Sequence, residues 1–361
     1  MSATRRALRL VLLLALLALS MLVYLFYRLE HPPGVAGPAE VTLFFPAGTS
    51  TSAIFRVLET EGVVENAKIA EIYYRATRSA SPLQAGEYLF QRPMPIDQLI
   101  DQMAHGDVVR HTVVVPEGLT AQETFELFLA EGVGGPKAFA RALRATELLP
   151  GAAFGVPDLE GFLFPNTYLV TRSTTARQVV EMMTGQFRRR LTPDLREKAE
   201  ALGFSTWQAV VLASIVQKET GLASEARLVA GVYWNRLRKH MRLQADPTVV
   251  YALKKDGKWT GTLYRCDYAY DSAYNTNQND GLPPGPICNP GFEAIRAAVA
   301  PDKTPYLYFV ADAYGHHTFS TTFEEHVQAI AAIRRARAAT ASGAELTSPG
   351  PGRRRAASPL Q

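Results

Sequence analysis

The sequence places one carboxylate at the end of a strongly apolar run. Glu219 follows Leu212-Ala-Ser-Ile-Val-Gln-Lys218. In a helix the side chains of Ile215, Val216 and Glu219 share one face, so the carboxylate continues an apolar stripe. Apolar surroundings and the negative end of the helix dipole both disfavour the ionised form, so we expect a raised pKa for Glu219. A carboxylic acid that stays protonated near neutral pH can protonate a poor leaving group such as a glycosidic oxygen.

The helix that carries this carboxylate has recognisable ends. Ser205 and Gln208 have the spacing of a capping box, and Gly221 suits the position after the last turn. The pattern predicts a helix from about Thr206 to Thr220. A structural alternative remains open, in which Glu219 forms an ion pair with a neighbouring lysine or arginine at the helix end.

Three other segments, residues 159–168, 241–248 and 273–291, are richer in polar and special-backbone residues than a scaffold needs. Irregular loops shaped by glycine and proline suit the wall of a binding groove. The candidate substrate contacts in these segments are Glu160, Gln244, Asp246, Tyr274, Asn275 and Thr276.

Several of these acidic and amide side chains have structural alternatives. Asp246 precedes Pro247, so it suits a helix N-cap with proline at the first helical position as well as a substrate contact. Gln244 has no such structural reason, and its amide could hydrogen-bond sugar hydroxyl or N-acetyl groups, so we expect it to line the site. Glu160 lies in a strand-like aromatic segment whose rings could equally form a core. Glu225 suits the dipole of its own helix and is interpreted as structural.

Three histidines could suggest a metal site. They are His316, His317 and His326, and they lack an HExxH-like spacing or nearby acidic ligands. We therefore expect neither a metal nor a cofactor.

A strand-turn-helix pattern occurs twice in the first part of the chain. Phe45-Pro-Ala-Gly48 and Val115-Pro-Glu-Gly118 each follow a predicted strand, Val41–Phe45 or Thr112–Val115, and precede an amphipathic helix that ends at glycine. With the further strand Gly86–Phe90, the first copy resembles a LysM-type glycan-binding module. The alternative is a scaffold that spaces the catalytic part from the membrane.

Helices and strands alternate irregularly in the rest of the chain. This pattern predicts an α+β fold in place of a regular parallel sheet. Helix caps are predicted at Ser173 or Thr174, at Ser224, and at Thr322 with Glu325; strands are predicted at Tyr306–Val310 and His317–Ser320, around a turn at Gly315.

One segment near the N-terminus is suited to a membrane. Leu10 to Tyr27 carries no charge and is dominated by leucine. Its length is close to the roughly 20 residues needed to cross a bilayer and exceeds the apolar region of a cleaved signal peptide, which is the alternative. Arg5, Arg6 and Arg9 precede it, so the positive-inside rule places the N-terminus in the cytoplasm and the rest of the chain on the far side.

The charge distribution argues against a nucleic-acid partner, and the cysteine content allows one disulfide. The formal net charge is +4, but the basic residues do not form one stripe; Arg5, Arg6 and Arg9 lie at one end of the chain, and Arg334, Arg335, Arg337 and Arg353 to Arg355 lie at the other. Nothing else in the sequence is typical of nucleic-acid binding, so we expect no nucleic-acid partner. Cys266 and Cys288 both fall on the far side of the membrane, where they could form a disulfide or remain free thiols.

Six segments together resemble the endolytic murein transglycosylases, the YceG-like family, over about residues 41–338. The segments are Leu159-Glu-Gly-Phe-Leu-Phe-Pro-Asn-Thr-Tyr168, Ala213-Ser-Ile-Val-Gln-Lys-Glu219, Met241-Arg-Leu-Gln-Ala-Asp-Pro-Thr248, Tyr274-Asn-Thr276, Gly281-Leu-Pro-Pro-Gly-Pro-Ile-Cys-Asn-Pro-Gly291 and Thr304-Pro-Tyr-Leu-Tyr-Phe-Val310.

The resemblance implies a single-pass enzyme of the bacterial inner membrane with its catalytic domain in the periplasm. Such an enzyme cuts peptidoglycan glycan strands internally, between MurNAc and GlcNAc, leaves a 1,6-anhydro-MurNAc end and terminates nascent strands. Its catalytic glutamate corresponds to Glu219, which acts as acid and then as base without a second carboxylate. Many members have glutamate where this chain has Gln217, which cannot be the acid. Asn277 replaces the usual aromatic residue after Tyr-Asn-Thr. The family also suggests partnership with peptidoglycan synthases.

The sequence leaves two other functions open. A lysozyme-like hydrolase would complete the cut with water and could use Asp246 or Glu225. A non-catalytic cell-wall-binding anchor would use only the LysM-like part, although the intact Glu219 segment argues against it. The expected organisation is a cytoplasmic N-terminus (1–9), a transmembrane helix (10–27), a linker (28–40), a LysM-like subdomain (41–110), a catalytic domain (111–338) and a disordered tail (339–361).

Overall fold

Short antiparallel strands and many helices make up this computed structural model, which describes residues 3–34, 37–149 and 156–347. The mixture confirms the predicted α+β class. The helices are α1 (Ala3–Glu30), α2 (Thr51–Thr60), α3 (Ala67–Thr77), α4 (Ile96–His105), α5 (Ala121–Ala130), α6 (Pro136–Ala142), α7 (Ala176–Arg190), α8 (Pro193–Ala201), α9 (Thr206–Glu219), α10 (Ala226–Arg238), α11 (Asp246–Lys255), α12 (Phe292–Val299) and α13 (Phe323–Thr347). The strands are β1 (Glu40–Phe45), β2 (Gly86–Gln91), β3 (His111–Val114), β4 (Thr167–Val170), β5 (Tyr308–Ala311) and β6 (His317–Ser320).

The chain divides into two compact units. Unit 1 comprises Met1–Val114, Phe125–Ala142 and Thr167–Val179. Unit 2 comprises Val115–Thr124, Leu143–Asn166 and the chain from Val180 onward. Unit 1 holds the paired strands β1 with β2 and β3 with β4, and unit 2 holds β5 with β6.

Helix α1 is long and apolar enough to cross a membrane over Ala7–Glu30. Most of its large apolar side chains between Leu8 and Tyr27 are exposed, as expected for a helix that meets lipid in place of a protein core. The helix extends past the predicted span at both ends, so residues 28–30 of the predicted linker are helical. Residues 35 and 36 of that linker lie outside the described chain.

The first subdomain of unit 1 is built on the antiparallel pair β1 and β2. Val41 stands opposite Phe90, and both predicted strands are present to within one residue. Apolar side chains from α2, α3 and α4, such as Phe55 and Leu99, complete one buried core with Tyr88 of β2. Glycan binding by this subdomain stays a prediction.

The strand-turn-helix pattern occurs twice, as predicted, and its two helices end in the same backbone turn. After α2 the N–H of Val63 donates to the carbonyl of Leu58 at 2.8 Å, and after α5 the N–H of Val133 donates to that of Phe128 at 3.0 Å. The residue before each donor is a glycine with a φ of 71°. That backbone region disfavours side chains, which explains why a glycine follows the last turn of both helices.

Helix α9 is central to the core of unit 2. Every residue from Ala209 to Val216 is buried, and α10 and α12 pack against the helix. The predicted capping box is confirmed, since the Ser205 hydroxyl accepts from the Gln208 N–H and the Gln208 amide oxygen accepts from the Ser205 N–H. The helix ends at Glu219, one residue earlier than predicted.

Two other helix starts differ from the prediction by one or two residues. Thr175 caps α7, in place of the predicted Ser173 or Thr174, and its hydroxyl accepts from the backbone N–H of the third residue after it. At α10 the N-cap position belongs to Glu225, in place of Ser224, and no side chain caps that end. Local sequence therefore located these helices but did not fix their first residues.

Helix α13 follows the hairpin of β5 and β6. Thr322 and Glu325 form the predicted capping box, with both hydrogen bonds at 3.2 Å. The helix continues to Thr347, so residues 339–347 of the predicted disordered tail are helical. Residues 348–361 lie outside the described chain.

The two cysteines are free thiols. Cys266 is exposed, whereas Cys288 is buried and its sulfur lies 3.3 Å from the carbonyl oxygen of Ser214. The structure therefore has the two cysteines as free thiols and not as a disulfide.

Candidate active site

The last residue of α9 brings a carboxyl group to the wall of a groove in unit 2. Glu219 is partly exposed there, although the preceding turns of its helix are buried. The O–H of Tyr233 on α10 donates to Glu219 Oε1 at 2.5 Å. This hydrogen bond fixes the carboxyl group from the side of the protein.

The environment of Glu219 favours its protonated form. Burial raises its pKa to about 7, and the negative charge of Asp246 adds to this increase. The hydrogen bond from Tyr233 and the positive charge of Arg236 act in the opposite direction, because both favour the carboxylate. Glu219 can therefore donate a proton near neutral pH and accept one later, as the sequence predicts for a general acid.

Two cavities meet at Glu219 and Asp246, which line both of them. We call them the Arg236 half and the Lys218 half of the groove. The Arg236 half has a volume of about 380 Å³, and its lining includes Tyr233, Arg236, Gln244, Tyr308, Phe309 and His317. The Lys218 half has a volume of about 390 Å³, and its lining includes Gly118, Glu123, Lys218, Tyr251, Lys254 and Leu263.

The prediction that Asp246 caps α11 is wrong. Ala245 occupies the N-cap position, and Asp246 is the first helical residue. The hydroxyl of Thr276 accepts from the Ala245 N–H at 3.0 Å, which is the donor that an N3 side chain binds in a capping box. The Asp246 carboxylate instead accepts from the Tyr268 O–H at 3.1 Å, and burial raises its pKa.

Gln244 lies in the Arg236 half, as expected of a lining residue. Its φ of 49° is unusual for a residue with a side chain, and its N–H donates to the carbonyl of Thr276 at 3.1 Å. Its amide oxygen lies 3.4 Å from Nη1 of Arg236. The strained backbone and these contacts hold the amide beside the groove.

Tyr274, Asn275 and Thr276 do not line either half of the groove. Asn275 and Thr276 are buried. The Asn275 amide donates to two backbone carbonyls, at 2.8 and 3.1 Å, and so holds its own loop together. The Tyr274 ring lies 4.9 Å from the ring of Tyr251. Of the three, only Thr276 contacts Gln244 and the start of α11, through its carbonyl and its hydroxyl.

Glu160 is a second buried carboxyl group, and it too does not line the groove. It lies in a turn and not in the strand-like segment expected, since β4 begins only at Thr167. Its Oε1 accepts from the N–H of Ala121, at the start of α5, at 2.9 Å. Burial raises its pKa to about 8. The neutral acid is thus held in the core against the end of a helix.

Several lining residues were not among the predicted contacts, and Tyr233, Arg236 and His317 are three of them. Tyr233 and Arg236 are three residues apart on α10, so they share a helix face and both reach the groove. The sequence signal that could have identified them is this spacing, because it places two side chains with polar ends on the same helix face as the apolar residues of α10. His317 reaches the groove from β6, and its Nδ1 lies 2.6 Å from Oε2 of Glu225. Glu225, interpreted from sequence as structural, thus orients a lining histidine.

Gln217 lies two residues before Glu219 and has a clear structural partner. The side-chain oxygen of Gln217 accepts from the N–H of Gly291 at 2.8 Å. An amide therefore ties α9 to the Asn-Pro-Gly segment without adding a second titratable group at the helix end.

Comparisons with known proteins bear on this site. The sequence profile of the YceG-like family matches residues 43–332. A protein of Bacillus subtilis named endolytic murein transglycosylase is 31% identical over 305 residues, which cover 80% of this chain and 83% of that protein. A protein of the same name from Streptococcus pneumoniae is 29% identical over 81% of this chain, which spans 58% of its length. The crystal structure of a yceG-like protein from Listeria monocytogenes has a TM-score of 0.51 and 32% identity, covering 81% of this chain and 99% of that one.

Proposed function

The chain belongs to the YceG-like family, and from this premise we propose that it is a membrane-anchored lytic transglycosylase that cuts the glycan strands of peptidoglycan internally. The groove of unit 2 would hold the strand, with the bond between MurNAc and GlcNAc at Glu219. Helix α1 would hold the enzyme at the inner membrane, with the catalytic part in the periplasm. Partnership with peptidoglycan synthases belongs to the same proposal, since the substrate is assembled at that membrane surface.

One carboxyl group can carry both proton transfers of this reaction. Protonated Glu219 donates its proton to the glycosidic oxygen as the bond from this oxygen to C1 of MurNAc breaks. The resulting carboxylate then accepts the proton of the 6-hydroxyl of the same sugar, whose oxygen forms the new bond to C1. The products are a GlcNAc hydroxyl end and a 1,6-anhydro-MurNAc end. Water is not consumed, and Glu219 returns to its starting state.

The observation that carries this proposal is the environment of Glu219. Its pKa of about 7 allows both protonation states near neutral pH, which an acid that later becomes a base requires. The Tyr233 hydroxyl stabilises the carboxylate that forms after the first transfer. Both features belong to a side chain that reaches a groove and not a closed core.

A hydrolase remains the second candidate, because Asp246 also lines the groove beside Glu219. Two carboxyl groups on either side of a glycosidic bond are typical of hydrolases that use water. The two functions differ in their products, since a hydrolase leaves a reducing MurNAc end and a lytic transglycosylase leaves an anhydro end.

The proposal predicts that Glu219→Gln abolishes cleavage. The amide cannot donate or accept the required proton, so we expect a loss of at least about 100-fold in the rate of anhydro-muropeptide release. The measurement is digestion of purified peptidoglycan by the full-length protein in detergent, with mass analysis of the fragments.

The matched control is Glu293→Gln, which removes an exposed carboxylate paired with Arg296 on α12. This variant should retain the wild-type rate. Unchanged anhydro-product release by Glu219→Gln would contradict the assignment, and products with reducing ends from the wild-type enzyme would favour the hydrolase.

A further inference from the structure

The Arg236 half of the groove contains a buried guanidinium group. Arg236 is only 8% exposed and lies on α10 one turn after Tyr233. Its Nε donates to the carbonyl of Leu307 at 2.7 Å, and its Nη1 donates to the carbonyl of Leu243 at 2.8 Å. The ring of Tyr308 lies 5.1 Å from the guanidinium carbon. These contacts hold the group in one orientation.

The positive charge of Arg236 has no carboxylate partner within the described residues. None of the ion pairs found there includes it, and its Nη2 has no hydrogen-bond acceptor among them. The nearby carboxyl group of Glu219 already receives the Tyr233 hydroxyl and is favoured in its neutral form. A buried cation without a partner is costly, so a groove that retains one is suited to a ligand that supplies an oxygen acceptor.

The two sugars of peptidoglycan differ in one such group. Both carry an N-acetyl group, but only the muramyl sugar carries a lactyl ether at O3, whose acyl group ends in a carboxylate or in an amide to the stem peptide. Either form presents an acyl oxygen, and the guanidinium group is a strong donor to such oxygens. The cations of the Lys218 half are of a different kind: Lys254 is paired with Glu123 at 2.7 Å, and Lys218 is exposed and donates to the carbonyl of Gly118 at 3.2 Å, so neither is a buried cation like Arg236.

We infer that the muramyl sugar binds in the Arg236 half, where Nη2 of Arg236 donates to the acyl oxygen of the lactyl group. This inference rests on the proposed function and adds the direction in which the strand lies. The muramyl sugar to be cleaved has its C1 at Glu219 and its lactyl group toward Arg236. The GlcNAc leaving group then enters the Lys218 half. Arg236 becomes the residue that distinguishes peptidoglycan from a polymer of GlcNAc alone.

The test compares two oligomers of equal length bound by the full-length Glu219→Gln protein. One is a GlcNAc oligomer, and the other is an alternating MurNAc–GlcNAc oligomer with its lactyl groups. Isothermal calorimetry should show about tenfold tighter binding of the lactyl-bearing oligomer, in line with one hydrogen bond from a charged group. Adding Arg236→Gln should reduce the ratio of the two affinities to near one.

Arg238→Gln is the matched control, because Arg238 is exposed, stacks on Trp234 and does not line the groove. It should leave the ratio unchanged. Equal affinity for the two oligomers in the Glu219→Gln protein overturns the inference, and this measurement does not depend on whether the Arg236 variant folds. A tenfold preference that survives Arg236→Gln also overturns it.

Failure of the inference can be separated from failure of the proposed function. If the wild-type enzyme releases anhydro-muropeptides while the two affinities are equal, only the role of Arg236 is wrong. If the wild-type enzyme releases none and neither oligomer binds, the proposed function fails as well.

Discussion

Glu219 and Glu160 both have strongly raised pKa values, but their positions give them different roles. Burial raises the pKa of Glu219 to about 7 and that of Glu160 to about 8. Glu219 reaches the groove, whereas Glu160 accepts a hydrogen bond from a helix N-terminus in the core. A raised pKa therefore identifies a candidate acid only when the group is also accessible to a substrate.

Tyr233 should tune the pKa of Glu219. Its O–H donates to the carboxylate and lowers this pKa, so Tyr233→Phe should raise it above about 7. The acid form would then persist to higher pH, and the alkaline limb of the pH–rate profile should move upward, with a lower maximal rate because the conjugate base is less stabilised. Rates of anhydro-product release between pH 5 and 9 provide the measurement.

Tyr314→Phe is a suitable control for that experiment, because Tyr314 is 81% exposed and lies in the turn between β5 and β6. An alkaline limb that stays in place in Tyr233→Phe would show that the hydrogen bond does not set the acid strength of Glu219.

One turn holds together two of the segments that surround α9. Gly161 has a φ of 87°, and a β-carbon there would come within 2.5 Å of Pro286. Its N–H and that of Leu163 both donate to the side-chain oxygen of Asn289, at 2.9 and 3.0 Å. The Leu-Glu-Gly and Asn-Pro-Gly segments are thus joined by a contact that leaves no room for a side chain.

Gly161→Ala should therefore destabilise unit 2 by roughly 2–4 kcal/mol, the sum of an unfavourable φ and a steric clash. Gly203→Ala isolates the first of these, because Gly203 has a φ of 78° and open space where the added methyl group would lie. It should cost only about 1–2 kcal/mol. Chemical denaturation of both variants measures the difference, and equal losses would exclude the clash with Pro286.

The sequence predicted those features that depend on neighbours along the chain. The capping box of Ser205 and Gln208 is such a feature, and it was confirmed. The predicted N-cap of α11 was wrong, because the start of this helix depends on a distant residue. The hydroxyl that binds the Ala245 N–H belongs to Thr276, about thirty residues further along the chain. Arg236 was missed for a similar reason, since its partners and its access to the groove arise only in the folded chain.

The two free thiols offer a direct test of how the whole chain is oriented in the membrane. If α1 spans the membrane with its N-terminus in the cytoplasm, exposed Cys266 faces the outside and buried Cys288 is protected. A membrane-impermeant maleimide should label one cysteine in right-side-out vesicles, and Cys266→Ser should remove this label. Labelling that requires detergent would indicate the opposite orientation.

The groove described above has two halves of nearly equal volume with Glu219 between them. For a polymer substrate this symmetry sets a minimum length, since a chain must extend to both sides of the cut before all its binding energy can support the reaction. Short oligomers that fill one half should therefore be cleaved slowly, and kcat/KM in a graded series should rise with length until both halves are filled. A flat series would show that one half suffices. An enzyme that binds the glycan on both sides of the cut does not need to bind the end of a strand. The position at which it docks along the strand then decides where each fragment ends.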